Sequence, residues 1–132
     1  MGTRGQFRFG YVTPKYDATV AFYRDDLQLV VLESWDRSAD DRGTLFAAAS
    51  GIIEVLLRSK SRAASHCWDD RPPQGVFMVI EVPDVEQTYR RAVERRLAIQ
   101  QELALQPWGH RSFCLREPNG LTLYLFSETQ TA

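Results

Sequence analysis

Pro107-Trp108-Gly109-His110-Arg111-Ser112-Phe113-Cys114-Leu115-Arg116-Glu117-Pro118-Asn119-Gly120 is the stretch whose pattern decides the architecture. Its first three residues form a turn through their proline and glycine. Residues 111–116 alternate polar and apolar side chains, the period of a strand with one buried face. Glu117-Pro118-Asn119-Gly120 is a second turn, and its Asn-Gly pair suits a tight hairpin. Residues 121–126 then return as the closing strand.

Upstream, 98–105 is a further strand, and Val85, Tyr89, Ala92, Val93 and Leu97 make one face of a helix over 85–97. Residues 76–82 form the strand before it, stopped by Pro83. The order of this half is β-α-β-β-β. The first half has the same order. Phe7, Phe9 and Tyr11 alternate in a strand, and Asp17 is placed to cap a helix carrying Val20, Ala21, Phe22, Tyr23 and Leu27. Strands follow at 29–35, 44–49 and 52–57, with the polar run 36–43 read as a hairpin loop. An offset of 70 lays Val12 on Val82, Tyr23 on Val93, Leu27 on Leu97 and Glu54 on Tyr124. The expectation is one α+β domain over 1–132, with module one at 6–58, a Ser/Arg/Pro-rich linker at 59–75 and module two at 76–128.

Composition agrees with an ordinary globular chain of 132 residues, 44% hydrophobic and 25% charged. A net charge of −1 gives no global electrostatic reason to bind nucleic acid or an anionic membrane. The N-terminal residues lack the apolar core of a signal peptide, and the longest apolar runs are far too short to span a bilayer. Two cysteines, Cys67 and Cys114, do not make a disulfide framework. A reduced, cytoplasmic protein is expected.

Two segments carry a family resemblance over nearly the whole chain. Asp17-Ala18-Thr19-Val20-Ala21-Phe22-Tyr23-Arg24-Asp25-Asp26-Leu27 resembles the first helix of the glyoxalase/bleomycin-resistance/dioxygenase superfamily, the vicinal oxygen chelate proteins. Gln28 stands where that helix usually ends in glycine. Trp108-Gly109…Phe113…Glu117-Pro118-Asn119-Gly120 resembles the family's second-module hairpin, with Glu117 in place of the usual aspartate. The resemblance implies two βαβββ modules, each a curved sheet around a cleft, commonly paired as a homodimer.

Metal-dependent members hold one divalent ion with His, Gln or Glu on the first strand of each module and Glu on the last. Here those positions fall on Phe7 or Arg8, Phe77 or Met78, Glu54, and Tyr124. Only Glu54 is a carboxylate, and one carboxylate does not make a site for a hard divalent ion. His66 and His110 have no ligand-spaced neighbour and read as surface or structural. No metal and no cofactor is expected. Glu54 is either a lone general base or a carboxylate hydrogen-bonded to Tyr124 or Arg8.

No phosphate loop, nucleophile elbow or motif-placed triad is present. What remains is aromatic surface: Trp35 at a strand end, Trp68 in the linker and Trp108 at a turn. Any one of them is ordinarily core, but three at edges offer flat faces for a planar or cationic ligand. The expected function is sequestration of an antibiotic-like small molecule, without chemical change, in a cleft lined by Trp35, Glu54, Trp68, Trp108 and Tyr124. The alternative is a lyase, isomerase or dioxygenase with an atypical metal site, Glu54 being the residue that supports it.

Overall fold

A computed structural model describes residues 5–58 and 74–128. The readings placed on Trp68, His66 and Cys67 lie outside the described residues. The chain divides into two compact units, and each repeats one plan. In unit one, β1 (Arg8–Thr13) leads to α1 (Tyr16–Ala21), which runs into a wider π-helical turn (Phe22–Asp26). Then come β2 (Val31–Ser38), β3 (Asp41–Ala48) and β4 (Gly51–Leu57). The sheet order is β1-β4-β3-β2, with β1 parallel to β4 and the other pairs antiparallel. Unit two has β5 (Phe77–Glu81), α2 (Val85–Glu94), β6 (Ala98–Leu105), β7 (His110–Arg116) and β8 (Thr122–Glu128), ordered β5-β8-β7-β6. The α+β class and the two βαβββ modules are as the sequence leads one to expect.

Among the described residues each sheet has a helix on one face only, and side-chain alternation sorts the residues accordingly. In unit one Phe46, Ile53 and Val55 are buried, with Tyr23 packed on Phe46 at 5.5 Å. In unit two the rows Met78-Leu123-Leu115 and Ile80-Leu125-Phe113 are buried together with Val85 and Ala92 of α2. Tyr89 of α2 meets Phe113 edge-on at 5.0 Å. The opposite face of this sheet carries Phe77, Val79, Thr122, Tyr124, Phe126 and Cys114, and it supplies the candidate site. No described helix is long and apolar enough to cross a membrane.

The structure differs from the sequence reading in four details. Residues 36–43 are not a loop: β2 runs to Ser38, β3 starts at Asp41, and only Ala39 and Asp40 turn. The polar ladder is tied by Arg42–Asp36 at 3.4 Å and Arg37–Asp41 at 3.2 Å, so charge there marks an exposed hairpin. Asp17 does not cap α1; it lies in the first turn, while Thr13 Oγ1 accepts the Lys15 N–H at 2.8 Å. Helix α2 stops at Glu94, short of Leu97, and Val93 is exposed.

The fourth difference concerns the repeat. Glu54 pairs with Gly10 and Tyr124 with Val79, so the offset is 70 on the last strand but 69 on the first. Val12 therefore matches Glu81, not Val82. Unit one carries one more residue than unit two between that point and the left-handed residue ending the helix, Gln28 or Arg96. The π-helical turn, which fits an extra residue into one turn, absorbs it.

Candidate functional site

The helix-free face of unit two holds an open groove of about 590 Å³ lined chiefly by Phe77, Gln100, Gln101, Cys114, Thr122 and Tyr124. Strand alternation puts Phe77 (β5), Thr122 and Tyr124 (β8) and Cys114 (β7) on this one face. Edge strand β6 slips register twice, between Ile99 and Gln101 and again before Ala104, and its glutamines border the groove there. Gln100 lies 2.9 Å from Thr122 Oγ1, and its amide oxygen, turned to the Arg116 guanidinium, accepts at 2.7 Å. Cys114 donates to Gln101 Oε1 at 3.5 Å, and burial pushes the thiol above its ordinary pKa. The floor thus offers a neutral thiol, not a thiolate nucleophile.

Beside the groove stands an aromatic cluster. The turn 107–109, closed by Gly109 N–H to Gln106 O at 3.0 Å, projects Trp108 outward, where it is 63% exposed. Gly109 takes φ +94°, a conformation that suits glycine. Trp108 Nε1–H donates to the Tyr124 hydroxyl at 3.1 Å, and His110 Nδ1 lies 3.2 Å from the same oxygen. The His110 ring stacks on Phe126, with centroids 3.9 Å apart and planes 16° from parallel. Trp108 and Tyr124, expected at a ligand site, are therefore together. His110, read from sequence as surface or structural, joins them. Extending the alternation of 111–116 back by one residue would have placed it on the face of Ser112 and Cys114.

In unit one, the register settles the ambiguous first-strand position. Arg8 shares the face of Glu54, and the two form an ion pair at 3.5 Å. Arg8 also donates to Gln6 Oε1 at 3.0 Å. Glu54 thus has the Arg8 partner that the sequence left open beside Tyr124. Trp35 of β2 lies flat against Gly43 of β3; a Cβ on Gly43 would stand 2.1 Å from the indole, so only glycine admits the ring. The Arg37 guanidinium lies 5.5 Å from the Trp35 ring.

In unit two the same logic selects Phe77 over Met78, which is buried on the helix side. The positions that the resemblance assigns to metal ligands thus carry Arg8 and Glu54 in unit one and Phe77 and Tyr124 in unit two. A cation, a carboxylate, a hydrocarbon ring and a phenol do not suit a hard divalent ion.

The family model of the Glyoxalase/Bleomycin resistance protein/Dioxygenase superfamily matches residues 5–125. No curated protein matches the chain by sequence. Among solved structures, TioX from Micromonospora sp. ML1 is similar at 16% identity with a TM-score of 0.73, covering 95% of this chain and 99% of its own. TnmS3, an antibiotic binding protein from Streptomyces sp. CB03234, is similar at 18% identity and a TM-score of 0.69, over 98% of this chain and 99% of its own. Lactoylglutathione lyase from Agrobacterium tumefaciens is similar at 17% identity and 0.69, over 96% and 95%. At such identities the likeness shows the fold alone.

Proposed function

We propose a function from one premise: the chain belongs to the Glyoxalase/Bleomycin resistance protein/Dioxygenase superfamily. It is a binding protein that takes up a planar, antibiotic-like small molecule and releases it unchanged. The ligand lies in the groove of unit two, against Phe77 and Tyr124, with Trp108 stacking on it from the turn. The carrying observation is that Phe77 and Tyr124, at positions where metal-dependent relatives place ligands, line an open groove beside the Trp108–Tyr124–His110 cluster. In unit one Glu54 keeps its Arg8 partner and Trp35 its seat on Gly43, and the ligand is assigned to the residues of unit two. No metal or cofactor enters this reading. It places the protein in the cytoplasm, acting as a homodimer. The name of TnmS3 supports antibiotic binding as a use of this fold.

Stacking on an indole contributes about 1 kcal/mol beyond burial, so Trp108→Ala should weaken binding about tenfold. Titrating planar antibiotics should quench tryptophan fluorescence saturably, and the recovered compound should be chemically intact. A panel that produces no quenching, or Trp108→Ala and Tyr124→Ala variants that bind as well as the parent, would sink the proposal. The enzymatic reading rests on Glu54 acting as a base or metal ligand, and its ion pair with Arg8 speaks against it. That reading predicts a melting temperature raised by Ni²⁺, Zn²⁺ or Mn²⁺ and lost in Glu54→Ala; the binding reading predicts no shift.

A further inference from the structure

We infer that His110 sets the hydrogen-bond polarity of the site, so that it selects planar ligands presenting a donor edge over those presenting a carbonyl. The inference rests on the binding function proposed above. It starts from what each partner of the Tyr124 hydroxyl is able to do. An indole N–H only donates, so at 3.1 Å Trp108 fills one acceptor position of the phenol oxygen. The phenol then has its own proton to place. Among the described residues His110 Nδ1, at 3.2 Å, is the acceptor within reach, and an imidazole with its proton on Nε2 accepts there.

The chain of bonds runs from Trp108 N–H to the Tyr124 oxygen, and from the Tyr124 O–H to His110 Nδ1. His110 is held for this role by its stack on Phe126, which fixes the ring plane. With its proton turned to His110, the hydroxyl offers the groove only a lone pair. A ligand N–H or O–H satisfies that lone pair, whereas a ligand carbonyl meets it oxygen to oxygen. His110 is thus a positioning residue, acting on the ligand through Tyr124.

Three tricyclic probes of one shape separate polarity from stacking: fluorene offers neither donor nor strong acceptor, carbazole a donor N–H, and fluorenone an acceptor carbonyl. Binding of each is measured by equilibrium dialysis. The parent protein should bind carbazole about tenfold more tightly than fluorenone, the worth of one net hydrogen bond. His110→Phe keeps a ring on Phe126 but removes the acceptor, freeing the Tyr124 proton for the ligand. Fluorenone should then become the tighter ligand of the two, each affinity being read relative to fluorene in the same variant. A damaged fold would weaken all three probes and would not raise affinity for one. Tyr124→Phe provides the second variant: it should abolish the preference without reversing it.

Equal ratios in the parent and His110→Phe, or a parent that prefers fluorenone, would overturn the assignment while leaving the binding function standing. Failure of fluorene, carbazole and fluorenone alike to bind the parent would overturn the binding function and the assignment with it.

Discussion

Gln28 ends the first helix with φ +57°, in the left-handed region where glycine is at ease and a side chain is strained. The position is exposed, so a glycine there loses no buried contact. Gln28→Gly should stabilise the protein by about 0.5 kcal/mol, after subtracting the greater freedom of glycine in the unfolded chain. A rise of about 2 °C in Tm by calorimetry is expected, and a fall would mean that the glutamine side chain contributes more than the strain costs. Glu117 is the converse case, a departure from the usual aspartate that keeps its work. Its carboxylate, only 3% exposed, accepts the N–H groups of Asn119 (2.6 Å) and Leu121 (3.0 Å) and the Asn119 amide (3.0 Å). Glu117→Ala leaves those donors without their acceptor and should cost about 2–4 kcal/mol in urea unfolding. Glu117→Asp should recover most of it. A loss below about 1 kcal/mol in the alanine variant would show that water replaces the carboxylate.

Helix α2 shows how an element is fastened at both ends. At its start, Asp84 accepts the Gln87 N–H at 3.2 Å, and Ser127 of β8 accepts the Val85 N–H at 3.1 Å while donating to Val82 O at 2.8 Å. Ser127 therefore ties the end of β5, the start of α2 and β8 in one place. Ser127→Ala should destabilise by about 1–2 kcal/mol, and Asp84→Ala by about 1 kcal/mol. Hydrogen exchange supplies the check: the first turn of α2 should open more readily in both variants, and unaltered protection at Val85 in Ser127→Ala would refute the tie. At its end, Leu97 N–H reaches Ala92 O and Arg96 N–H reaches Val93 O, a Schellman closure with Arg96 at φ +56°. That closure stops the helix three residues before Leu97, which apolar periodicity alone assigned to it.

At the scale of the whole molecule, each unit leaves apolar side chains in water: Val30, Val31 and Leu32 at β2, and Phe77 and Val79 on β5. An isologous pairing of two copies would cover such surface on both at once. Sedimentation at micromolar concentration is expected to give twice the 15.1 kDa chain mass. A monomer would remove the second copy from the proposed function and leave the groove of unit two as a site complete in one chain.

Period-2 and helical apolar patterns and turn residues are local properties of the chain, so the elements, their order and the duplicated plan were legible in the sequence. The sequence also offered Trp108, through the Trp-Gly turn, and Tyr124, through the offset that matches it to Glu54, as candidates alongside Trp35, Glu54 and Trp68. Tertiary structure alone decided what those residues touch. Register, a relation between strands distant in sequence, chose Arg8 over Phe7 and Phe77 over Met78. The same register put His110 and Tyr124 on one face of β7 and β8, where their side chains meet at 3.2 Å although they lie fourteen positions apart in the chain, so a histidine without a neighbour in sequence gained one in space. Gly43 reads as a loop glycine until Trp35 is seen lying on it. A hydrogen bond needs two groups within about 3 Å, and only the fold brings together groups that the chain keeps apart.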